Sequence, residues 1–159
     1  WNDPVAKHPH EIVVDMSSSL EIDKFIYQPR NSENGRIKDY ELYFSKDGKN
    51  WENKTKGRFE NSSSAQFVTL EKPIVARYFK LIALSEIYGR DWASAAELNV
   101  NAVRNLSGAS EERQKVVYAD SDADGSMKLA ADGDINTFWH TVHNQFYLAP
   151  YPHELKKLQ

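Results

Sequence analysis

The sequence predicts an all-β fold in which antiparallel strands form a β-sandwich. Several short segments alternate apolar and polar side chains with a period of two, which is typical of half-buried strands. Turn-forming Gly, Pro, Asn and Asp separate these segments, and no segment has the periodicity of a long amphipathic helix. The 159 residues are enough for one domain with a single hydrophobic core.

The first three strands are predicted in the N-terminal third of the chain. Residues 11–15 and 22–27 are rich in β-branched and aromatic residues, which favour strands. Phe25 and Tyr27 share one face of the second segment. Residues 36–45 alternate most regularly: Tyr40, Leu42 and Phe44 share one face, and polar residues alternate with them. We expect that even-numbered face to be buried.

The chain then continues with turns and shorter strands. Residues 46–50 contain Asp-Gly and predict a hairpin, after which Trp51 is expected to pack inward. Residues 53–64 are polar and predict a loop or a weak strand. Further strands are predicted at 66–70, 76–84, 95–103 and 115–118. Pro73 is expected to separate the first two of these, because proline cannot donate to a ladder. Helix is limited to one turn near residues 127–130.

Composition excludes several classes of partner and site. The net charge is −3 with both signs interspersed, so no basic stripe is available for a nucleic-acid backbone. The absence of cysteine removes disulfides, zinc thiolates and thiol nucleophiles. No apolar run has the length of a bilayer and no signal peptide opens the chain, so we expect Trp1 to follow a cut within a larger protein.

A stretch near the C-terminus, residues 132–141, has the composition of a small-cation loop. Asp132 and Asp134 flank a glycine and are followed by Thr137, which together supply hard oxygen donors on a turn. Two large aromatics come next and would hold the loop against a core. An ordinary acidic turn leading into a strand is the alternative interpretation of the same residues.

Together with this loop, five further segments resemble one known family. They are residues 27–30, 34–43, 45–51, 76–81 and 92–100. Each is similar to a segment of the discoidin, or coagulation factor V/VIII type C, domains, in the branch found as family-32 carbohydrate-binding modules on secreted bacterial glycoside hydrolases. The similarity is greatest to domains appended to chitobiases. The resemblance implies a discoidin-like jelly roll of the galactose-binding-domain-like type.

The order of these segments is rotated relative to the family. The loop at 132–141 should precede the strand at 11–15, and residues 9–11 recur as Pro-His-Glu near the C-terminus. We therefore expect one sandwich over residues 1–143, closed within the chain or by strand exchange in a dimer. Its body covers residues 1–103 and a linker covers 104–113. Residues 114–143 supply the first strands and the calcium loop. Residues 144–159 lie beyond the sandwich as a tail or peripheral strand.

The resemblance implies a structural calcium ion. Family members bind it through a backbone oxygen before the first aspartate, both aspartates, the threonine, and an Ala-Glu pair in the last strand. The corresponding positions are Leu129, Asp132, Asp134, Thr137, Ala96 and Glu97. A carboxylate at 97 in an apolar strand would be costly without a cation or donor. The alternative is that Glu97 faces solvent.

A second acidic stretch matches the start of an EF-hand loop. Asp120, Asp122 and Asp124 occupy positions one, three and five, followed by Gly125. Position twelve, however, is Ala131, where a bidentate carboxylate is required. We therefore predict a solvated acidic loop here.

The resemblance also implies a shallow sugar site on loops at one end of the sandwich. The residues at the family's donor and aromatic positions are Arg30, Asn34, Tyr88, Trp92 and His140. Position 143 is a histidine where the family has an aromatic, unless Trp1 takes that place. The structural alternatives are that Arg30 pairs with Glu33 and that Trp92 belongs to the core.

The function implied is that of a non-catalytic carbohydrate-binding module. It would target a secreted, periplasmic or cell-surface bacterial glycoside hydrolase to glycans that end in galactose or N-acetylhexosamine, and contact the catalytic domain. The alternative is a spacer domain with the same fold and no sugar binding. The chain has no nucleophile elbow, and His8 and His10 have no third metal ligand in the sequence. Its polar loops argue against membrane binding.

Overall fold

The described part of the chain, residues 7–106 and 114–142 of a computed structural model, folds as the predicted antiparallel β-sandwich. The strands are β1 His10–Gln28, β2 Asp39–Ser45, β3 Glu52–Arg58, β4 Gln66–Ala83, β5 Ser94–Ala95, β6 Glu97–Asn105, β7 Lys115–Ala119 and β8 Trp139–His140, with a 3-10 helix at Ser126–Ala131. All ladders between these strands are antiparallel. Within the described residues, no helix has the length and apolar character needed to cross a membrane.

The two long strands, β1 and β4, belong to both layers. The first half of β1 pairs with the second half of β4, where Val14 lies opposite Phe79, and the second half of β1 pairs with the first half of β4, where Phe25 lies opposite Val68. The Phe25 and Phe79 rings nevertheless meet edge to face at 5.3 Å between centroids. The two halves therefore face each other across the core, and one layer has the order β3-β2-β4-β1-β7 while the other is β4-β1-β6.

The core contains the residues that the alternation predicted and draws others from the C-terminal segment. Tyr40, Leu42 and Phe44 are buried, as are Phe25 and Tyr27. The residues after 114 contribute too, and among the described residues Trp139 is the largest fully buried side chain. Its indole N–H donates to the carbonyl oxygen of Ser121 at 3.1 Å. β7 pairs with the first half of β1 within the same chain.

Several boundaries differ from the predictions. The segments at 11–15 and 22–27 form one strand, with a register shift between Asp15 and Leu20. The expected break at Pro73 is wrong. β4 continues through it because pairing with β1 skips from Thr69 to Ile74, so the missing N–H of proline removes no ladder hydrogen bond.

Two predictions for the hairpin region need different corrections. The hairpin itself is confirmed, since β2 pairs with β3, and the polar residues after 52 begin with a strand. Trp51 does not pack into the core; it is half-buried, and the Lys80 ammonium lies 4.6 Å from its ring centroid. One face of the Trp51 ring therefore makes a cation–π contact with Lys80 instead of packing against apolar core residues.

The acidic stretch at 120–124 is only partly solvated, which corrects the prediction. Asp122 Oδ1 accepts hydrogen bonds from the Met127 N–H at 2.7 Å and the Ser126 hydroxyl at 3.0 Å, so it orders the start of the 3-10 helix. Asp120 binds the His10 ring. Asp120 and Asp124 are exposed, whereas Asp122 is half-buried. The predicted helical turn near 127–130 is confirmed.

The domain boundaries stay a prediction. β6 continues through Asn105, two residues into the segment expected to be the linker. The remainder of that linker and the expected tail, with His143, lie outside the described residues, as does Trp1. The same holds for the second copy of the Pro-His-Glu sequence.

His10 joins three separate segments through a fully buried imidazole. Its Nδ1 lies 3.1 Å from Asp120 Oδ2, and its Nε2 lies 2.6 Å from the carbonyl oxygen of Asp91. Both partners accept hydrogen bonds, so the ring satisfies both when doubly protonated. Burial lowers the pKa of His10, but the hydrogen bonds to Asp120 and Asp91 outweigh it and leave the pKa above its usual value.

We predict a pH-dependent loss of stability in the His10→Gln variant. Because the folded-state pKa is raised, the imidazolium stabilises the native state fully below about pH 6.5 and loses this effect as pH rises through the folded value. Urea unfolding at pH 5.5 should show the variant less stable by about 1.5–3 kcal/mol. The gap between wild type and variant should shrink by pH 8.5. A gap that stays constant over this range would contradict a charged His10.

Candidate functional site

The loops that follow β1 and β4 meet at one end of the sandwich. Ser94, in β5, connects them: its hydroxyl donates to the carbonyl oxygen of Asn34 at 2.9 Å, and its N–H donates to that of Gly35 at 2.8 Å. Ser94 also pairs with His140 of β8. The loop after β1, the loop after β4 and the C-terminal segment therefore share one backbone junction.

Arg30 and His140 both lie next to the Phe138 ring in this region. The Arg30 guanidinium lies 3.8 Å from the centroid of the Phe138 ring, and the Phe138 and His140 rings are 5.6 Å apart. Burial lowers the pKa of the Arg30 guanidinium from its usual value. Among the described residues no ion pair joins Arg30 to Glu33, so that structural alternative is wrong. Phe138 was not among the predicted site residues.

Asn34, Tyr88 and Trp92 surround a second arginine, Arg90. Arg90 Nη1 donates to Asn34 Oδ1 at 2.6 Å. Its guanidinium carbon lies 5.0 Å from the Tyr88 ring centroid and 5.4 Å from that of Trp92. Tyr88 is 53% exposed, while Trp92 is only half-buried and thus not a core residue. Arg90 is not indicated by the sequence, because an arginine in a polar loop is usually a solvated side chain.

Glu86 holds the loop after β4 in shape. Its side chain is fully buried and lies 2.7 Å from Arg90 Nη2. The carboxylate also accepts hydrogen bonds from the N–H groups of Tyr88 at 2.7 Å and Arg90 at 3.1 Å, and from that of Gly35 at 3.3 Å. A buried carboxylate is tolerated only with such compensation. The Tyr88 side chain makes a further hydrogen bond, because its hydroxyl accepts from Asn61 Nδ2 at 3.1 Å.

The predicted calcium residues form a second cluster beside β6. Glu97 is buried, and its Oε1 accepts from the Gly133 N–H at 2.7 Å. Asp132 accepts from the Thr137 hydroxyl at 2.8 Å and from the Asp134 N–H at 2.9 Å. Burial, together with the adjacent Asp132 carboxyl, raises the pKa of Glu97 to about 7. The alternative of a solvent-facing Glu97 is wrong.

The donor set in this cluster fits a hard cation. Two carboxyl groups, those of Glu97 and Asp132, lie within hydrogen-bond reach of each other, and the Thr137 hydroxyl is beside them. All are oxygen donors of the kind that calcium prefers. Asp134 instead accepts from the Asn136 N–H and side-chain amide, at 2.9 and 2.8 Å. Within residues 7–106 and 114–142, no three His, Cys, Asp or Glu side chains form a metal-binding group.

The remaining two predicted ligands flank this cluster. Ala96 is buried between β5 and β6, and its N–H donates to the carbonyl oxygen of Gln28 at 2.9 Å. Leu129 lies in the 3-10 helix, which packs against β6. Their expected role would use backbone carbonyl oxygens.

Comparisons with known proteins show where similar chains occur. The F5/8 type C domain family matches residues 1–98. A family-32 carbohydrate-binding module from Clostridium perfringens, solved in complex with GalNAc-β-1,3-galactose, is 40% identical with a TM-score of 0.58, over 62% of this chain and 70% of that one. The C-terminal domain of a chitobiase from Bacteroides fragilis is 29% identical with a TM-score of 0.55, over 66% and 68%.

A curated relative is a much longer enzyme. A galactose oxidase from Gibberella zeae is 35% identical over 98 residues, which are 59% of this chain and 14% of the oxidase. The matched region therefore corresponds to a small part of that enzyme.

We predict that Gly35→Ala destabilises the protein more than Gly89→Ala. Both glycines have a positive φ, +76° and +75°, so both substitutions strain the backbone by about 1–2 kcal/mol. A Cβ at 35 would also lie 2.8 Å from Ser94 Oγ and 3.0 Å from its backbone nitrogen, whereas nothing lies within 4 Å at 89. Denaturant unfolding should show an additional cost at 35 of about 1–3 kcal/mol. Equal losses would contradict the tight junction at Ser94.

Proposed function

The chain belongs to the F5/8 type C domain family, and we propose that it binds glycans at the end of the sandwich where β1 and β4 terminate. One observation carries this proposal. The side chains that the sequence indicated form two groups, one against Phe138 and one around Arg90. Ser94 links the two groups, because it contacts the backbone of both Asn34 and His140. A spacer domain would not require these side chains to converge.

The chemistry of this end suits a sugar ring. Arg30, Asn34 and His140 offer hydrogen-bond donors to hydroxyl groups, and the exposed Tyr88 ring offers a surface for the apolar face of a pyranose. These groups lie on loops that the buried Glu86 and the Ser94 junction already order. Little conformational entropy would be lost on binding, which favours affinity for a small ligand.

The ligand class we propose is a glycan that ends in galactose or N-acetylhexosamine. The support comes from the Clostridium perfringens module, 40% identical, which was solved with GalNAc-β-1,3-galactose. We further propose that the domain tethers a larger, secreted bacterial glycoside hydrolase, such as a chitobiase, to its substrate. Weak monovalent binding becomes useful there because it raises the local enzyme concentration at a polymeric glycan.

A structural calcium ion is the second part of the proposal. Glu97, Asp132 and Thr137 supply side-chain oxygens, and Asp134, Leu129 and Ala96 would complete the shell. When bound, the ion would neutralise two adjacent carboxylates and hold the loop at 132–137 against β6. It would stabilise the structure and take no part in a reaction.

We predict that Arg30→Ala weakens glycan binding at least tenfold without unfolding the protein. The side chain is half-buried over Phe138, and losing a charged donor costs about 1.5–3 kcal/mol, or at least tenfold in affinity. A glycan array with wild type identifies the ligand, and calorimetry measures both proteins. Arg58→Ala, which breaks an exposed pair with Asp39, is the control and should bind normally. A silent array from folded wild-type protein would leave the spacer function.

We predict that calcium raises the melting temperature and that Glu97→Gln removes this effect. At a free calcium concentration of about 100 times Kd, binding stabilises the native state by about 2.7 kcal/mol, or roughly 5–10 °C for a domain of this size. Calorimetric scans in calcium and in EDTA measure the shift. Asp124→Asn, at an exposed aspartate, serves as the control. Identical scans for wild type in calcium and EDTA would exclude the ion.

A further inference from the structure

We propose that Arg90 is a positioning residue that fixes the orientation of the Asn34 amide, so that both N–H bonds of Asn34 Nδ2 face the bound sugar. This inference rests on the proposed glycan site. It adds a residue that the sequence did not indicate and assigns it an action through Asn34 instead of direct ligand contact.

The orientation of Asn34 follows from the chemistry of its partner. A guanidinium only donates hydrogen bonds, and Arg90 Nη1 lies 2.6 Å from the Asn34 side chain. The amide oxygen must therefore be the atom that faces Arg90. The nitrogen, with its two N–H donors, points to the opposite side, and Asn34 is exposed.

Arg90 itself is held by groups that leave little for a ligand. Its Nε donates to Glu86 Oε1 at 2.9 Å, and its Nη2 lies 2.7 Å from the same oxygen. Nη2 also donates to the carbonyl oxygen of Glu33 at 3.2 Å. With one Nη1 donor on Asn34, most of the five N–H bonds are used within the protein. Because Glu86 is fully buried, this arrangement anchors the fork rigidly.

The same cation aligns the donor with the aromatic surface. The Tyr88 and Trp92 rings lie within cation–π distance of the Arg90 guanidinium. Asn34 and Tyr88 thus both contact the same rigid guanidinium, which fixes their positions relative to each other. The ligand at this point must present an acceptor oxygen to Asn34, such as a hydroxyl, ring or N-acetyl carbonyl oxygen, with an apolar face nearby. Without Arg90, the amide would rotate and offer donor and acceptor equally.

Arg90→Lys separates the positioning role from the buried charge. Lysine keeps a positive charge for Glu86 but lacks the planar fork that reaches Asn34 at the same time. We expect the variant to fold, as judged by circular dichroism, and to bind the glycan identified by the array about tenfold more weakly. Arg58→Lys is the matched control and should bind as wild type does.

A double-mutant cycle tests whether Arg90 acts through Asn34. In an Asn34→Ala background, Arg90→Lys should cause no further loss of affinity. Equal losses in both backgrounds would overturn the proposal and leave Arg90 with a structural role. If Arg90→Lys fails to fold, Asn34→Asp provides the second test. It keeps the acceptor for Arg90 but has no N–H donor, so binding should be lost with stability retained; wild-type binding would overturn the proposal.

A ligand-free measurement keeps this inference distinct from the proposed function. The Asn34 side-chain amide, assigned by its disappearance in Asn34→Ala, should show a rigid ¹⁵N heteronuclear NOE in wild type and a mobile one in Arg90→Lys. Equal mobility in both proteins would overturn the positioning role even if sugar binds. A rigid amide in wild-type protein that binds no glycan would instead refute the proposed function alone.

Discussion

The passage of β1 and β4 between the two layers determines where the candidate site lies. Each strand pairs with the other in both layers, and the register shift after Asp15 and the skipped residues before Ile74 allow the turn from one layer to the next. Antiparallel pairing alone would place the C-terminal ends of β1 and β4 at opposite ends of their ladder. Because both strands cross from one layer to the other, the ladder folds over the core and these two ends return to the same end of the sandwich. The loops that follow them, at 29–36 and 84–93, are therefore neighbours in space although they are far apart in the sequence.

A buried charge then sets the detailed shape of those loops. Glu86 is covered from solvent, and its desolvation must be offset by the arginine and the three backbone N–H groups that surround it. Each of these partners belongs to a loop residue near the candidate site. A rearrangement of either loop would leave the carboxylate without donors, so the arrangement is strongly favoured over alternatives.

The sequence predicted what depends on local pattern and missed what depends on distant partners. Alternation identified the buried face of β2, and Asp-Gly identified the hairpin, since both signals lie within a few residues. The prediction for Pro73 was wrong because tolerance of this proline depends on how β4 pairs with β1, a strand far away in the sequence. Arg90 was missed for a similar reason: its partner Asn34 is 56 positions away, and a loop arginine carries no local sign of such a role.

The proposed calcium loop and the proposed sugar site belong to one continuous segment, which would give the proposed ion a second effect. Thr137 binds Asp132, and the next residue, Phe138, lies under Arg30. His140, two residues further, pairs with Ser94 at the loop junction. A cation that neutralises Glu97 and Asp132 would fix the start of this short segment, while the pairing with β5 fixes its end. Phe138 would then be restrained from both sides, so the position of the Arg30 guanidinium would depend on a metal that never touches the sugar.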